Sequence, residues 1–373
     1  PATPTITGVT ALSTVAVSVQ WTDNSTIEDD FILSSGAINC TQSTGPAVAT
    51  LNKAGFGGAQ NGTIDGFSPN SINEICMRAR VLPPDNLVSL YSDSRTVFTL
   101  ANPPVNAQIS AVFDSSLTVA WGANSNSGIT AYEVSLSTDG FQMSFSTPVP
   151  FATGLTAATT ILAALSPGTT YHIRIRAQNG AAIATAFTAP VSTETPPAPL
   201  TGLAATALGV SSISWSWNDS GPNASYRVYS ASAFVVLATT SVEGFLQLGL
   251  ATNTAAGLVA EPFNNFLARP LSAAVTAFTL AAPPAAAAID SASSQTIRLS
   301  WSANTSPTGT VFELSASTDA FLTHFSTPVP FARGLTSLTT TALDLAAGTT
   351  YQLRVRAQNG DAVPPAFANV VST

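Results

Sequence analysis

The chain has 373 residues, enough for two to four domains of about 100–150 residues each. Asp, Glu, Lys and Arg make up only 9 % of it and the net charge is −8, which excludes a nucleic-acid partner, because such a partner needs clustered Lys and Arg. The mean hydropathy of +0.29 comes from scattered Ala and Val, and apolar runs such as 281–289 carry prolines and fall short of the ~18–20 residues that a membrane span requires.

Taken in chain order, four short alternating runs each end in tryptophan: Val17-x-Val19-x-Trp21, Leu117-x-Val119-x-Trp121, Ile213-x-Trp215-x-Trp217 and Ile297-x-Leu299-x-Trp301. The final tryptophans are 100, 96 and 84 residues apart, one β-sandwich's length each. A second alternating run follows each one, opening at Phe31, Tyr132, Tyr226 and Phe312. A third is clearest as Tyr171-x-Ile173-x-Ile175-x-Ala177 and Tyr351-x-Leu353-x-Val355-x-Ala357. Period-two alternation buries one face of a strand, and the Gly, Pro and Asp clusters between runs are turns. No capped stretch has a helical period, so the predicted class is all-β.

Long segments recur 180 residues apart. Phe145-Ser-Thr-Pro-Val-Pro-Phe-Ala returns from Phe325, Tyr171-His-Ile-Arg-Ile-Arg-Ala-Gln-Asn-Gly returns as Tyr351-Gln-Leu-Arg-Val-Arg-Ala-Gln-Asn-Gly, and Phe98-Thr-Leu-Ala returns from Phe278. The chain is a duplication of a two-module unit. Proline-rich linkers at Ala101–Pro104, Thr195–Pro199 and Ala281–Pro284 set the expected modules at 1–101, 102–195, 196–281 and 282–373. Such linkers are semi-rigid spacers, so four modules in line are expected to reach on the order of 140 Å.

A tryptophan closing the second strand, an aromatic opening the third, and Leu165-x-Pro-Gly-Thr-x-Tyr171-x-x-Arg174-x-Arg176-Ala-x-Asn179 together resemble the fibronectin type III family. The resemblance implies four tandem immunoglobulin-like (fibronectin type III) β-sandwiches in an elongated array. The linkers and Ser-Thr-Asp hairpins are similar to repeat arrays of bacterial surface and secreted proteins. The family's corner tyrosine, which pins a turn through its hydroxyl, falls on Tyr171 and Tyr351. The first and third modules place Asn73 and Ala256 there, which implies that these are the weaker pair.

Cys40 and Cys76 are the only cysteines. They suggest an oxidising compartment and one disulfide, with two free buried thiols as the alternative. Cys76 alternates with Ile75 and Met77, so the bridge is expected to be a surface staple. No nucleophile elbow, metal-binding His pair or phosphate loop occurs, so neither an enzyme nor a cofactor is expected. Glu28-Asp29-Asp30 reads as a solvated strand entry, with a weak Ca²⁺ contact as the alternative. Asp139 and Asp319 read as turn caps.

Trp21, Trp121, Trp217 and Trp301 are expected in the cores. Trp215 is placed on the outer face, at a covered edge or an inter-module contact, with sugar stacking or a partner site as the alternative. Phe141, Phe145 and Phe151 recur as Phe321, Phe325 and Phe331. At least one of each trio is expected inside, and the others, Phe141 and Phe321 among them, offer a repeated contact surface.

The expectation is a non-catalytic, extracellular or cell-surface protein, of bacterial type, that packs with other copies of itself as a filament, sheath or surface layer. The alternative is a spacer, or a polysaccharide- or partner-binding module, of a larger secreted enzyme or adhesin. Pro1 stands where an initiator Met would, and the chain runs from one linker to the point before the next. It therefore reads as a window from a longer array or as a subunit that stacks head to tail.

Overall fold

In the computed structural model, which describes residues 1–36, 40, 49–52, 55, 57–222, 224–264 and 269–373, the alternating runs become antiparallel strands. Two compact units result, Pro1–Thr195 and Pro196–Thr373, and each contains two sandwiches.

The first sandwich comprises β1 (Thr5–Ala11), β2 (Ala16–Asp23), β3 (Asp30–Ser35), β4 (Ala49–Asn52), β5 (Gly58–Asp65), β6 (Ile72–Arg80) and β7 (Arg95–Phe98). The second comprises β8 (Val105–Val112), β9 (Ser116–Gly122), β10 (Ala131–Ser137), β11 (Ser146–Val149), β12 (Thr159–Ala163), β13 (Thr170–Gln178) and β14 (Val191–Glu194). The third runs through β15 (Ala204–Gly209), β16 (Ser212–Ser216), β17 (Ser225–Ser230), β18 (Val236–Thr240), β19 (Gly244–Gln247), β20 (Ala255–Phe263) and β21 (Val275–Phe278). The fourth runs through β22 (Ala285–Ala292), β23 (Ile297–Ser302), β24 (Val311–Ser317), β25 (Phe325–Val329), β26 (Thr339–Ala342), β27 (Gln352–Gln358) and β28 (Val371–Ser372).

Every sandwich has the same plan. A three-stranded sheet, ordered β1-β2-β5 in the first, faces a four-stranded sheet, ordered β4-β3-β6-β7. The tryptophan ending the second strand crosses the interior to the aromatic opening the third. Ring centroids are 5.2 Å apart for Trp21–Phe31, 5.3 Å for both Trp121–Tyr132 and Trp217–Tyr226, and 5.5 Å for Trp301–Phe312, with steep tilts between the planes. Such edge-on pairs add about 0.5–1.5 kcal/mol beyond the area they bury. Each pair joins the two sheets at one point, which sets the register of the core.

Four expectations are corrected, the last of them the placing of the disulfide. Trp215 is 1 % exposed, in the core of the third sandwich with Ile213 and Trp217. Residues 213, 215 and 217 share parity, so they share the inward face; Trp215 stands where the other sandwiches place Val19, Val119 and Leu299. Its indole N–H donates to Gln247 Oε1 at 3.0 Å. No residue of the two Phe trios is buried, and Val149 and Val329 pack against the cores in their place. The acidic run is not solvated throughout: Glu28 and Asp30 are buried, Asp30 Oδ1 accepts from Arg80 Nε at 2.9 Å, and Asp29 Oδ2 accepts the Leu82 N–H at 2.6 Å.

Cys40 and Cys76 form a disulfide with their Cα atoms 5.6 Å apart. Cys76 does face away from Ile75 and Met77, which lie in the core, yet it is fully buried. The bridge is therefore a covered staple on the outer face of β6, not a surface one.

Candidate functional site: sheet faces and module joints

Among the described residues, no three His, Cys, Asp or Glu groups lie together as a metal site, and no helix is long and apolar enough to cross a membrane. Asp139 is consumed by its own hairpin. It accepts the backbone N–H groups of Gln142, Met143 and Ser144 at 3.1, 2.9 and 2.8 Å and the Ser137 hydroxyl at 2.7 Å. The Ser137 hydroxyl first, then these N–H groups, lower its pKa to about 2. Asp319 repeats the arrangement; there the Thr323 hydroxyl is the leading cause of a strong lowering. Tyr171 and Tyr351 close their corners, accepting the N–H groups of Ser166 and Ala346 at 2.8 and 3.0 Å.

The outer face of the four-stranded sheet in the second sandwich carries a stack of rings and guanidinium planes. Arg174 lies between Phe141 and Phe187, its Cζ 4.0 and 4.1 Å from the two centroids, with Phe145 at 5.5 Å. Arg176 continues the stack between Phe187 and Phe151 at 4.5 and 5.3 Å and pairs with Glu133 at 2.8 Å. The fourth sandwich repeats it, with Arg354 3.8 Å from both Phe321 and Phe367, and Arg356 4.5 Å from Phe367. Burial, reinforced by the neighbouring Arg356 charge, lowers the Arg354 pKa. A cation–π contact contributes about 0.5–2 kcal/mol according to its desolvation, so the stack covers the sheet face with the chain's own residues. Phe141 and Phe321, expected as a contact surface, are half-buried rungs of this stack.

What remains open is the hairpin tip beside each stack. Met143 is 91 % exposed and Phe145 62 %; in the fourth sandwich Phe325 repeats Phe145 at 62 %, and Leu322, at the place of Gln142, is 81 % exposed. Phe234 and Val235 in the third sandwich, at the corresponding hairpin, are also exposed.

The joints within each unit are polar and closed. In the first, Asn70 Nδ2 donates to Thr130 Oγ1 at 2.7 Å, and Asn70 Oδ1 accepts the Gly180 N–H at 2.9 Å. In return, Asn179 Nδ2 donates to the Thr99 carbonyl at 3.0 Å. The Phe98 ring lies against Gly180 so closely that a Cβ there would stand 2.2 Å from it. The second unit repeats every part: Asn253 to Thr310 at 2.9 Å, Gly360 to Asn253 at 2.9 Å, Asn359 to the Thr279 carbonyl at 3.2 Å, and Phe278 against Gly360. The Ala-Gln-Asn-Gly segment was visible in the sequence as a repeat. Its role was not, because the Asn partner lies about 110 residues upstream.

Residues 102–194 match the family model of the fibronectin type III domain; they are a fibronectin type III domain, and the chain is a tandem array of sandwiches of this kind. The chain is 32 % identical over 187 residues to chitinase A1 of Niallia circulans, covering 47 % of this chain and 24 % of that protein. It thus matches about a quarter of the length of that relative. Among solved structures it is similar to the FN1–FN3 domains of chicken CNTN1 at 16 % identity, covering 75 % of this chain and 99 % of that one, with a TM-score of 0.29. It is also similar to a two-domain fibronectin type III segment of chicken tenascin at 17 % identity, covering 48 % and 100 %, with a TM-score of 0.36.

Proposed function

We propose that this array is a non-catalytic spacer and presentation segment of a larger secreted protein. The observation that supports it best is the use of its polar groups. Asp139 and Asp319 are spent on turns, Arg174, Arg176, Arg354 and Arg356 on ring stacks, and Asn70, Asn179, Asn253 and Asn359 on joints. A disulfide suits an oxidising compartment outside the cytosol. The matching quarter of a bacterial chitinase fits a module that accompanies a catalytic domain. The direct test is an assay of the purified chain on chitin. No turnover is expected, and turnover abolished by a single carboxylate substitution would reverse the reading. Co-sedimentation with insoluble chitin and cellulose then separates a plain spacer from a polysaccharide-binding one.

The exposed tips favour a second reading, contact between copies of the chain. Met143, Phe145, Phe234, Leu322 and Phe325 are apolar and poorly covered hairpin-tip residues, Phe325 repeating Phe145, and one Lys in the whole chain leaves little charge to guard strand edges. Sedimentation velocity at micromolar concentration decides between the two readings. A monomer supports the spacer, and polymers that Met143→Ser with Leu322→Ser dissolve support a surface layer or filament.

A further inference from the structure

Asn70 and Asn253 sit at the same place in the fold as Gly168 and Gly348. Aligning the sandwiches on their sixth strands puts all four in the turn that enters that strand. All four have left-handed backbones, with φ of 47° and 46° for the two asparagines and 61° and 72° for the two glycines. Glycine adopts this conformation without cost, and Asn is among the few other residues that tolerate it. The turn therefore has one backbone in four sandwiches and two side-chain solutions. The second and fourth sandwiches carry no side chain there and tie the turn internally through the hydroxyls of Tyr171 and Tyr351. The first and third have Asn73 and Ala256 in place of that tyrosine, and an amide that crosses to the following sandwich.

We propose that Asn70 and Asn253 are latches. Each replaces the missing corner tyrosine as the group that holds its turn, and it does so with partners supplied by the next sandwich. The first and third sandwiches thereby depend on the second and fourth, and each pair unfolds as one body. Four features carry this. The amide uses both ends, donating to Thr130 or Thr310 and accepting from Gly180 or Gly360, which fixes its orientation. The contacts are reciprocal, because Asn179 and Asn359 reach back to the carbonyls of Thr99 and Thr279. Asn70, Thr99, Thr130 and Asn179 are all buried, where hydrogen bonds are strengthened by the low dielectric and a misaligned partner is costly. Finally, the glycine after each reaching Asn lets a Phe ring of the preceding sandwich close over the backbone. Both units contain the two-ended amide, the reciprocal Asn and the Phe–Gly contact, and in the second Asn253 is half-buried while Thr279, Thr310 and Asn359 are buried.

The test uses the full chain and two variants that spare the backbone. Asn70→Gly keeps the left-handed turn and deletes the amide, and Thr130→Val is isosteric and deletes only the acceptor. Hydrogen exchange read by mass spectrometry along a urea gradient reports each sandwich separately. In the unaltered chain, peptides of the first and second sandwiches are expected to open together. In Asn70→Gly the Gly180 amide should exchange about tenfold faster or more, with the first sandwich opening at lower urea than the second. Thr130→Val should shift the first sandwich in the same direction although the changed residue lies in the second. Separate opening in the unaltered chain, or a first sandwich indifferent to both variants, would overturn the proposal.

Discussion

The Tyr171 hydroxyl accepts the Ser166 backbone N–H at 2.8 Å, across the turn that joins the two sheets of the second sandwich. The bond spans five residues and ties the entry of β13 to the loop before it. Tyr171 is itself 7 % exposed, with its ring in the core, so one side chain serves both packing and turn closure.

Tyr171→Phe retains the ring and removes the acceptor. Ser166 is exposed, so water takes over its N–H, and the loss is that of one net hydrogen bond, about 0.5–1.5 kcal/mol. Urea unfolding should show a lower midpoint with an unchanged slope. No change would mean that the hydroxyl is a bystander.

Trp215→Ala and Trp217→Ala should destabilise the third sandwich to a similar degree, about 3–5 kcal/mol each, because both indoles are inside. Chemical unfolding followed by tryptophan fluorescence measures both. A mild effect of Trp215→Ala alone would contradict its inward placement.

Reduction of the Cys40–Cys76 bridge frees a loop of 36 residues. In the chain-entropy model this costs the first sandwich about 4 kcal/mol. Peptide mapping without reductant should find the linked pair, and reductant should lower the unfolding midpoint of the first sandwich while leaving the fourth unchanged.

Asp139 has a carboxylate pKa lowered from 3.8 to about 2 by the Ser137 hydroxyl and three backbone N–H groups. A depressed folded pKa stabilises the hairpin above the unfolded value and loses that contribution as pH falls through the folded one. The hairpin from Ser137 to Ser144 should therefore hold at pH 5 and loosen between about pH 4 and pH 2. Amide exchange at Met143 and Ser144 measures this, and Asp139→Asn should remove the pH dependence.

The inward faces were legible because their signal is local. Four tryptophan-ended runs and the aromatics that follow them announce which parity is buried; placing Trp215 on the outer face runs against that signal, because it shares the parity of 213 and 217 and lies inside with them. The Tyr171 corner was equally plain from its motif. The outward faces were not legible in this way. Phe141 and Cys76 sit on surfaces whose partners come from elsewhere in the chain, Arg174 of β13 for Phe141 and the disulfide-linked Cys40 for Cys76.

The class, the repeat and the cores follow from local pattern alone, since a period of two and a 180-residue echo are properties of neighbouring residues and of segment identity. What the outward polar residues do depends on the folded neighbourhood. An Asn in a turn looks the same whether it caps its own backbone or reaches a Thr 60 residues away. An Arg on a strand looks the same whether it faces water or lies between two rings. Burial of a strand's inner face follows from its own pattern, whereas the partner of an outward polar group is set by which segments folding brings beside it.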